Sequence, residues 1–141
     1  MKKFFQKLII IVSILVGSLS ISFAQTDSAT GKIYFLGNPK GFLEKYRVIM
    51  DSKHLCDLSV KHYFVYNAQV GKHFIAMDKA EIKSNEIAII VEESKSYYIQ
   101  FYSQDSYGGR EIVAKRIPED LAKMILPSLK QEISCAEKDA N

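Results

Sequence analysis

The sequence is poor in the patterns that announce a chemistry. It has no G-x-S-x-G, no H-E-x-x-H and no glycine loop of the kind that cradles phosphate, which sets aside nucleophile-elbow, zinc-protease and nucleotide-binding arrangements. The carboxylate pairs, Glu92-Glu93 and Glu119-Asp120, fall in a turn and at a helix start, where solvation and the helix dipole account for them. His54, His62 and His73 could join Cys56 in a zinc site if neighbouring strands brought them onto one face. Their spacing fits no ligand pattern, however, and polar strand positions explain them. The expectation is a chain with no catalytic residue, no metal and no cofactor, and it contains no internal repeat or low-complexity tract.

An excess of one charge is missing as well. The 141 residues hold 19 Lys and Arg against 16 Asp and Glu. Lys2, Lys3 and Lys7, however, stand ahead of an apolar run from Leu8 to Val16 and of small residues leading to Ser22-Phe23-Ala24. That order is a secretory signal peptide over residues 1–24, cut between Ala24 and Gln25. Gly17, Ser18, Ser20 and Ser22 interrupt the run before it reaches the roughly 20 residues of a spanning helix, so no retained membrane span is expected. Without the leader the charges balance, and the basic pI is no evidence for nucleic acid as a partner.

The mature chain is expected in the periplasm or outside the cell, and it has single-domain length. There Cys56 and Cys135 are a disulfide candidate, the alternative being two separate thiols. Closing so long a loop would add on the order of 4 kcal/mol. No cysteine stands at the cleavage point to accept a lipid.

What the sequence does have is short runs rich in β-branched and aromatic residues. Residues 25–30 read as a flexible lead-in. Lys32–Leu36, Tyr46–Met50, His54–Leu58, His62–Tyr66, Lys72–Met77, Glu86–Val91, Ser96–Tyr102 and Glu111–Ile117 then read as strands. The runs at 62–66 and 72–77 read as a hairpin closed by Gly71, in the middle of a sheet. Glu86–Val91 is almost wholly apolar, as for a strand covered on both faces. In Ser96–Tyr102, Gln100 marks a wetter side shared by Tyr98 and Tyr102. Asp78–Asn85 reads as a polar loop and Ser103–Arg110 as a mobile one.

Pro118-Glu119-Asp120 opens a helix whose apolar face is Leu121, Met124 and Ile125, and Pro127 ends it. Eight short strands followed by one or two short helices predict a mainly β chain, an antiparallel β-sandwich or small barrel. The sandwich domain with its closing helix is expected over residues 31–126, and a helical or disordered tail over 127–141.

Several of these segments carry a resemblance: the opening GKIYFL, Tyr46-Arg47-Val48 leading to the Asp51 turn, Leu58 before an aromatic strand, Gly71-Lys72-His73 and Ser96-Tyr97-Tyr98. Together they resemble the bacterial envelope domain known as domain of unknown function 2846, over most of residues 30–126. The resemblance implies a small exported β-sandwich, similar to carbohydrate-binding or PEGA-like modules, and it brings no catalytic residues with it. Val70 stands where such domains usually have proline before the hairpin glycine.

All eight tyrosines of the chain lie after the leader. Tyr98 and Tyr102, with Tyr107 and Arg110 in the following loop, are the candidate ligand-binding set, a shallow stacking surface for a sugar or an extended peptide. The alternative is that the closing helix packs over this face and buries it. The chain is therefore expected to be a non-enzymatic envelope module with a protein or a glycan as partner, or, as the second reading, a carbohydrate- or peptide-binding sandwich.

Overall fold

The computed structural model describes residues 29–40, 45–79, 82–83 and 85–136, without the side chains at 79, 82, 83, 106, 110 and 136. The leader, with Ala24 and Gln25, lies outside the described residues.

The extended runs become β1 (Thr30–Leu36), β2 (Lys45–Met50), β3 (Lys53–Ser59), β4 (His62–Gln69), β5 (Gly71–Lys79), β6 (Ile82–Lys83), β7 (Ile87–Val91), β8 (Ser96–Ser106), β9 (Gly109–Ile117) and β10 (Lys130–Gln131). Helix α1 (Glu119–Ile125), a 3-10 turn (Leu126–Ser128) and helix α2 (Ile133–Ala136) belong to the C-terminal part. One sheet has the order β10-β4-β1-β8-β9. The other has β3-β2-β5, with β6 and β7 in line along the far edge of β5. This is the expected mainly β sandwich. Two of its pairings are parallel, β1 with β8 and β10 with β4. Each joins strands whose connection runs through the rest of the domain, the length a parallel pairing requires.

Period-two alternation builds the interior. Ile33 and Phe35, Tyr46 and Val48, Phe64 and Ala68, Ile75 and Met77, Ile89 and Val91, and Tyr97, Ile99 and Phe101 all turn inward and interleave. Phe35 stacks on Phe64 at 4.7 Å and on Phe101 at 6.0 Å between ring centroids, a row of rings across three adjacent strands. The buried tyrosines keep their hydroxyls bonded. Tyr46 meets the Ser103 hydroxyl at 2.8 Å, and the Tyr97 oxygen accepts the Glu92 N–H at 2.9 Å. A second apolar cluster lies on the outer face of the first sheet, where Leu36, Tyr98 and Ile117 meet Ala122 and Leu129.

Several expectations change. The runs at 62–66 and 72–77 are not hairpin partners: β4 and β5 lie in different sheets, and the chain turns the corner at Val70-Gly71. Both runs alternate cleanly, so each presents an apolar face to the core, and the two faces meet across it instead of side by side. Gly71 makes the corner at φ 144°, a conformation side chains rarely adopt. Residues 103–110 are strand rather than loop, because β8 and β9 pair as far as Ser106 and Gly109 across the two-residue turn Tyr107-Gly108. Within the 78–85 segment, Asp78 and Lys79 of β5 pair antiparallel with Lys83 and Ile82 of β6. A one-residue slip follows between the Asp78–Lys83 and Ile75–Ile87 pairs.

Helix α1 faces inward with Ala122 and, as expected, Ile125, while Leu121 and Met124 stand exposed. The small Ala122 lets the helix lie close over Tyr98 and Ile117. The domain also continues past residue 126, since β10 joins β4 and Cys135 is covalently tied to β3.

Gly31 sets how closely β1 approaches the β7–β8 turn. A Cβ there would meet the Glu92 carbonyl oxygen and the Val91 side chain, each at 2.7 Å. Gly31→Ala is expected to destabilise the fold by about 1–3 kcal/mol through overpacking. Urea unfolding measures this, and a variant as stable as the parent would show that the turn moves freely.

Candidate functional site

The four residues of the candidate stacking surface do not form one site. Tyr98 is buried against Leu36, Ile117, Ala122 and Leu129, its ring stacked on Tyr34 at 4.9 Å, so it is not an exposed platform. Tyr102 is half-buried farther along β8, and Tyr107 is fully exposed at the turn beyond. Nine residues of extended chain separate Tyr98 from Tyr107, about 30 Å. No single ligand of modest size bridges them. Arg110 lies in β9, and its side chain is outside the described residues.

The physical cause is α1. It covers the Tyr98 end of the outer face and leaves the Tyr107 end bare.

A concave site does exist beside Tyr98, at the end of the sandwich where β8 begins and β9 ends. Ser96, Tyr97, Tyr98, Arg116, Ile117, Pro118 and Glu119 line a pocket of about 430 Å³, within the range of small-ligand sites. Its chemistry is mixed. The Arg116 guanidinium carbon lies 5.0 Å from the Tyr97 ring centroid, a cation–π contact at the mouth. Glu119 is held by Lys123 at 2.8 Å. Burial pushes the Tyr98 hydroxyl pKa up, the charge of Glu119 and neighbouring Tyr34 push it the same way, and Lys123 with a hydrogen bond to Ser96 opposes them. Tyr98 therefore stays a neutral phenol, able to donate or accept a hydrogen bond at the pocket wall.

Arg116 and Glu119 were not singled out by sequence. Their only signal is a strand that ends Arg116-Ile117 directly before the Pro118 helix start.

The histidines are dispersed. His54 pairs with Asp57 at 2.9 Å, and His62 Nδ1 meets the Val60 carbonyl at 3.0 Å. His73 bridges two turns: Nδ1 lies 2.7 Å from Asp51 Oδ2 and Nε2 lies 2.8 Å from the Gln69 carbonyl. Both of its ring nitrogens face acceptors, so both must donate, and the imidazolium is the form this geometry satisfies. With Nε2 held by a backbone carbonyl, His73 has no nitrogen left to act as a base. Among the described residues no three His, Cys, Asp or Glu side chains gather as metal ligands do, and no helix is long and apolar enough to cross a membrane.

Cys56 on β3 and Cys135 on α2 are joined as a disulfide, with Cα atoms 5.6 Å apart and a sequence separation of 79.

No family model matches the chain, and no curated protein sequence matches it.

The His73–Asp51 clamp carries a pH dependence. Partial burial alone would lower the His73 pKa, but the Asp51 hydrogen bond, the Gln69 carbonyl and the Asp51 charge outweigh it and raise the value. Burial would raise the Asp51 pKa, and the His73 and Phe74 N–H hydrogen bonds with the His73 charge bring it below the usual carboxylate value. A raised histidine pKa contributes stability that is complete below about 6.5 and is lost as pH rises through the folded value. The lowered Asp51 value contributes stability that disappears only as pH falls below the ordinary aspartate range. Thermal midpoints should therefore fall on the alkaline side of pH 6.5 in the parent, and His73→Gln should flatten that limb. Parallel pH profiles for the two proteins would remove the clamp from the account.

Proposed function

We propose that this chain is an exported, non-enzymatic β-sandwich module of the bacterial envelope, working by contact with another macromolecule. The observation that carries the reading is the disulfide. Cys56 and Cys135 meet across 79 positions, and a structural bridge of that kind persists in an oxidising compartment. The leader-like order of residues 1–24 and the motifs resembling domain of unknown function 2846 support the same address. A protein held together this way suits the periplasm or the exterior, where a small domain needs a covalent staple.

A second reading is favoured by the pocket beside Tyr98. Arg116 and Glu119 supply opposite charges, Ser96 and Tyr98 supply hydroxyls, and Tyr97 and Ile117 supply apolar wall. That mixture suits a polar ligand such as a short peptide or a sugar better than a lipid.

One preparation tests both readings. The full chain is produced in a bacterial host, the cells are fractionated, and the recovered protein is sequenced from its N-terminus and titrated for thiols. The reading predicts protein in the exported fraction, beginning at Gln25 and without a free thiol. Full-length protein in the cytoplasm with two titratable thiols would contradict it. For the second reading, glycan and peptide panels are screened by NMR. Shifts confined to Ser96–Tyr98 and Arg116–Glu119, lost in Arg116→Ala, support the pocket, and binding that ignores this variant removes it.

A further inference from the structure

The most apolar strand of the chain is covered on one face only. In β7 the side chains of Ile87, Ile89 and Val91 turn toward the core, while Ala88 and Ile90 face solvent, Ile90 with 67% of its surface open. Among the described residues nothing supplies the expected second cover, because the closing helix lies on the other sheet. The outer edge of β7 is open too. β7 pairs with β5, and no strand lies beyond it among the described residues.

Which backbone groups face that edge follows from β5. Phe74 directs both of its groups away from β7: its N–H donates to Asp51 Oδ1 at 2.9 Å, and its carbonyl accepts the Asp51 N–H at 2.9 Å. Backbone groups of successive strand residues point to opposite sides. His73 and Ile75 therefore address β7, where Ile89 and Ile87 are their partners. The N–H and C=O of Ala88 and Ile90 are left pointing outward.

The flanks of this edge are already tied to the other sheet. The Glu92 N–H donates to the Tyr97 hydroxyl at 2.9 Å, and the Asn85 side-chain amide bonds Ala114 on β9 through both of its atoms, at 2.8 and 3.1 Å. Between these ties β7 itself, Ile87–Val91, carries neither proline nor charge, the kind of edge that natural sheets otherwise blunt.

We propose that this edge of β7 pairs with the same edge of a second copy of the chain, antiparallel about a two-fold axis through Ile89. The register satisfies every open group at once. Ala88 of each copy lies opposite Ile90 of the other, and two such pairs exchange four hydrogen bonds. The side chains fit by size, a small one facing a large one on the same outer face. Phe74 is the β5 neighbour of Ala88, and Lys72 that of Ile90. The row across the joint would thus read Phe74, Ala88, then Ile90 and Lys72 of the second copy, placing the exposed isoleucine beside the partly exposed Phe74 ring. At each end Glu86 of one copy lies opposite Glu92 of the other, a like-charge contact that Lys95, held by Glu92 at 2.6 Å, offsets in part. An isologous interface of this kind closes on itself and does not propagate.

A strand edge of five residues buries less than the roughly 1,200 Å² of a stable complex, so the association is weak and depends on concentration. The inference holds whether or not the chain is exported.

The test is sedimentation equilibrium of the oxidised full protein over a concentration series, with amide hydrogen exchange at both ends of the series. The expected result is a monomer–dimer equilibrium in the micromolar range or weaker. The Ala88 and Ile90 amides should exchange freely when dilute and become protected when concentrated, while the Ile89 amide stays protected throughout. Ile90→Lys and Ala88→Pro should each weaken dimerisation at least about tenfold. Proline at position 88 removes an N–H that has no partner among the described residues, and circular dichroism checks that each variant keeps the parent fold. A monomer at every concentration with both amides open would overturn the proposal. So would a dimer that both folded variants retain, or protection of these amides that needs an added foreign peptide.

Discussion

Two stacked sheets have two open flanks, and in this chain a covalent bond closes one of them. Cys56 belongs to β3 at the edge of one sheet, and Cys135 follows β10 at the edge of the other. The bridge therefore fastens sheet to sheet and holds the short helix Ile133–Ala136 on the same side. Next to it, the Lys130 N–H donates to the Lys61 carbonyl and the Glu132 N–H to the Tyr63 carbonyl, each at 2.8 Å. Those two bonds add a short parallel strand that could not persist alone. On the opposite flank the fastening is an amide: the Asn85 side chain donates to the Ala114 carbonyl and accepts the Ala114 N–H, as a peptide unit of a neighbouring strand would.

The placement of the helix decides which surfaces remain for function. Because α1 lies over the Tyr98 end of the first sheet, an aromatic face that alternation would leave wet becomes a second core. The pocket survives only as the crevice between that helix start and the ends of β8 and β9. Among the described residues the outer face of the second sheet receives no such cover, so the apolar strand β7 has an open side and an open edge there. These two outcomes have one cause, a single short helix that covers only one sheet.

Much of the fold was legible from residue order. Every one of the eight expected strands is present, since alternation of β-branched and aromatic residues with polar ones is a local property that folding preserves. Sheet membership was not legible. The runs around Phe64 and Phe74 look like a hairpin in sequence, and only the need of both apolar faces for the same core sends them to different sheets. The 103–110 segment misled for another reason. Ser, Gln, Asp and Gly favour turns locally, yet pairing with β9 overrides that preference. The helix face was legible only at Ile125, because size as well as hydrophobicity governs close packing, and Ala122 fits where Leu121 and Met124 do not. In the candidate site, Tyr98 could be named from the strand pattern. Arg116 and Glu119 could not, because they come together only when the strand end and the helix start fold over the same corner.

The claim on which the rest turns is that the Cys56–Cys135 bond holds the flank shut. Guanidinium unfolding of the oxidised protein, with and without a reductant and followed by exchange at the Lys130 and Glu132 amides, addresses it directly. The account predicts that reduction lowers stability by about 2–5 kcal/mol and that these two amides lose protection before the rest of the sheet. Identical unfolding midpoints in both conditions, with the two amides still protected, would contradict it.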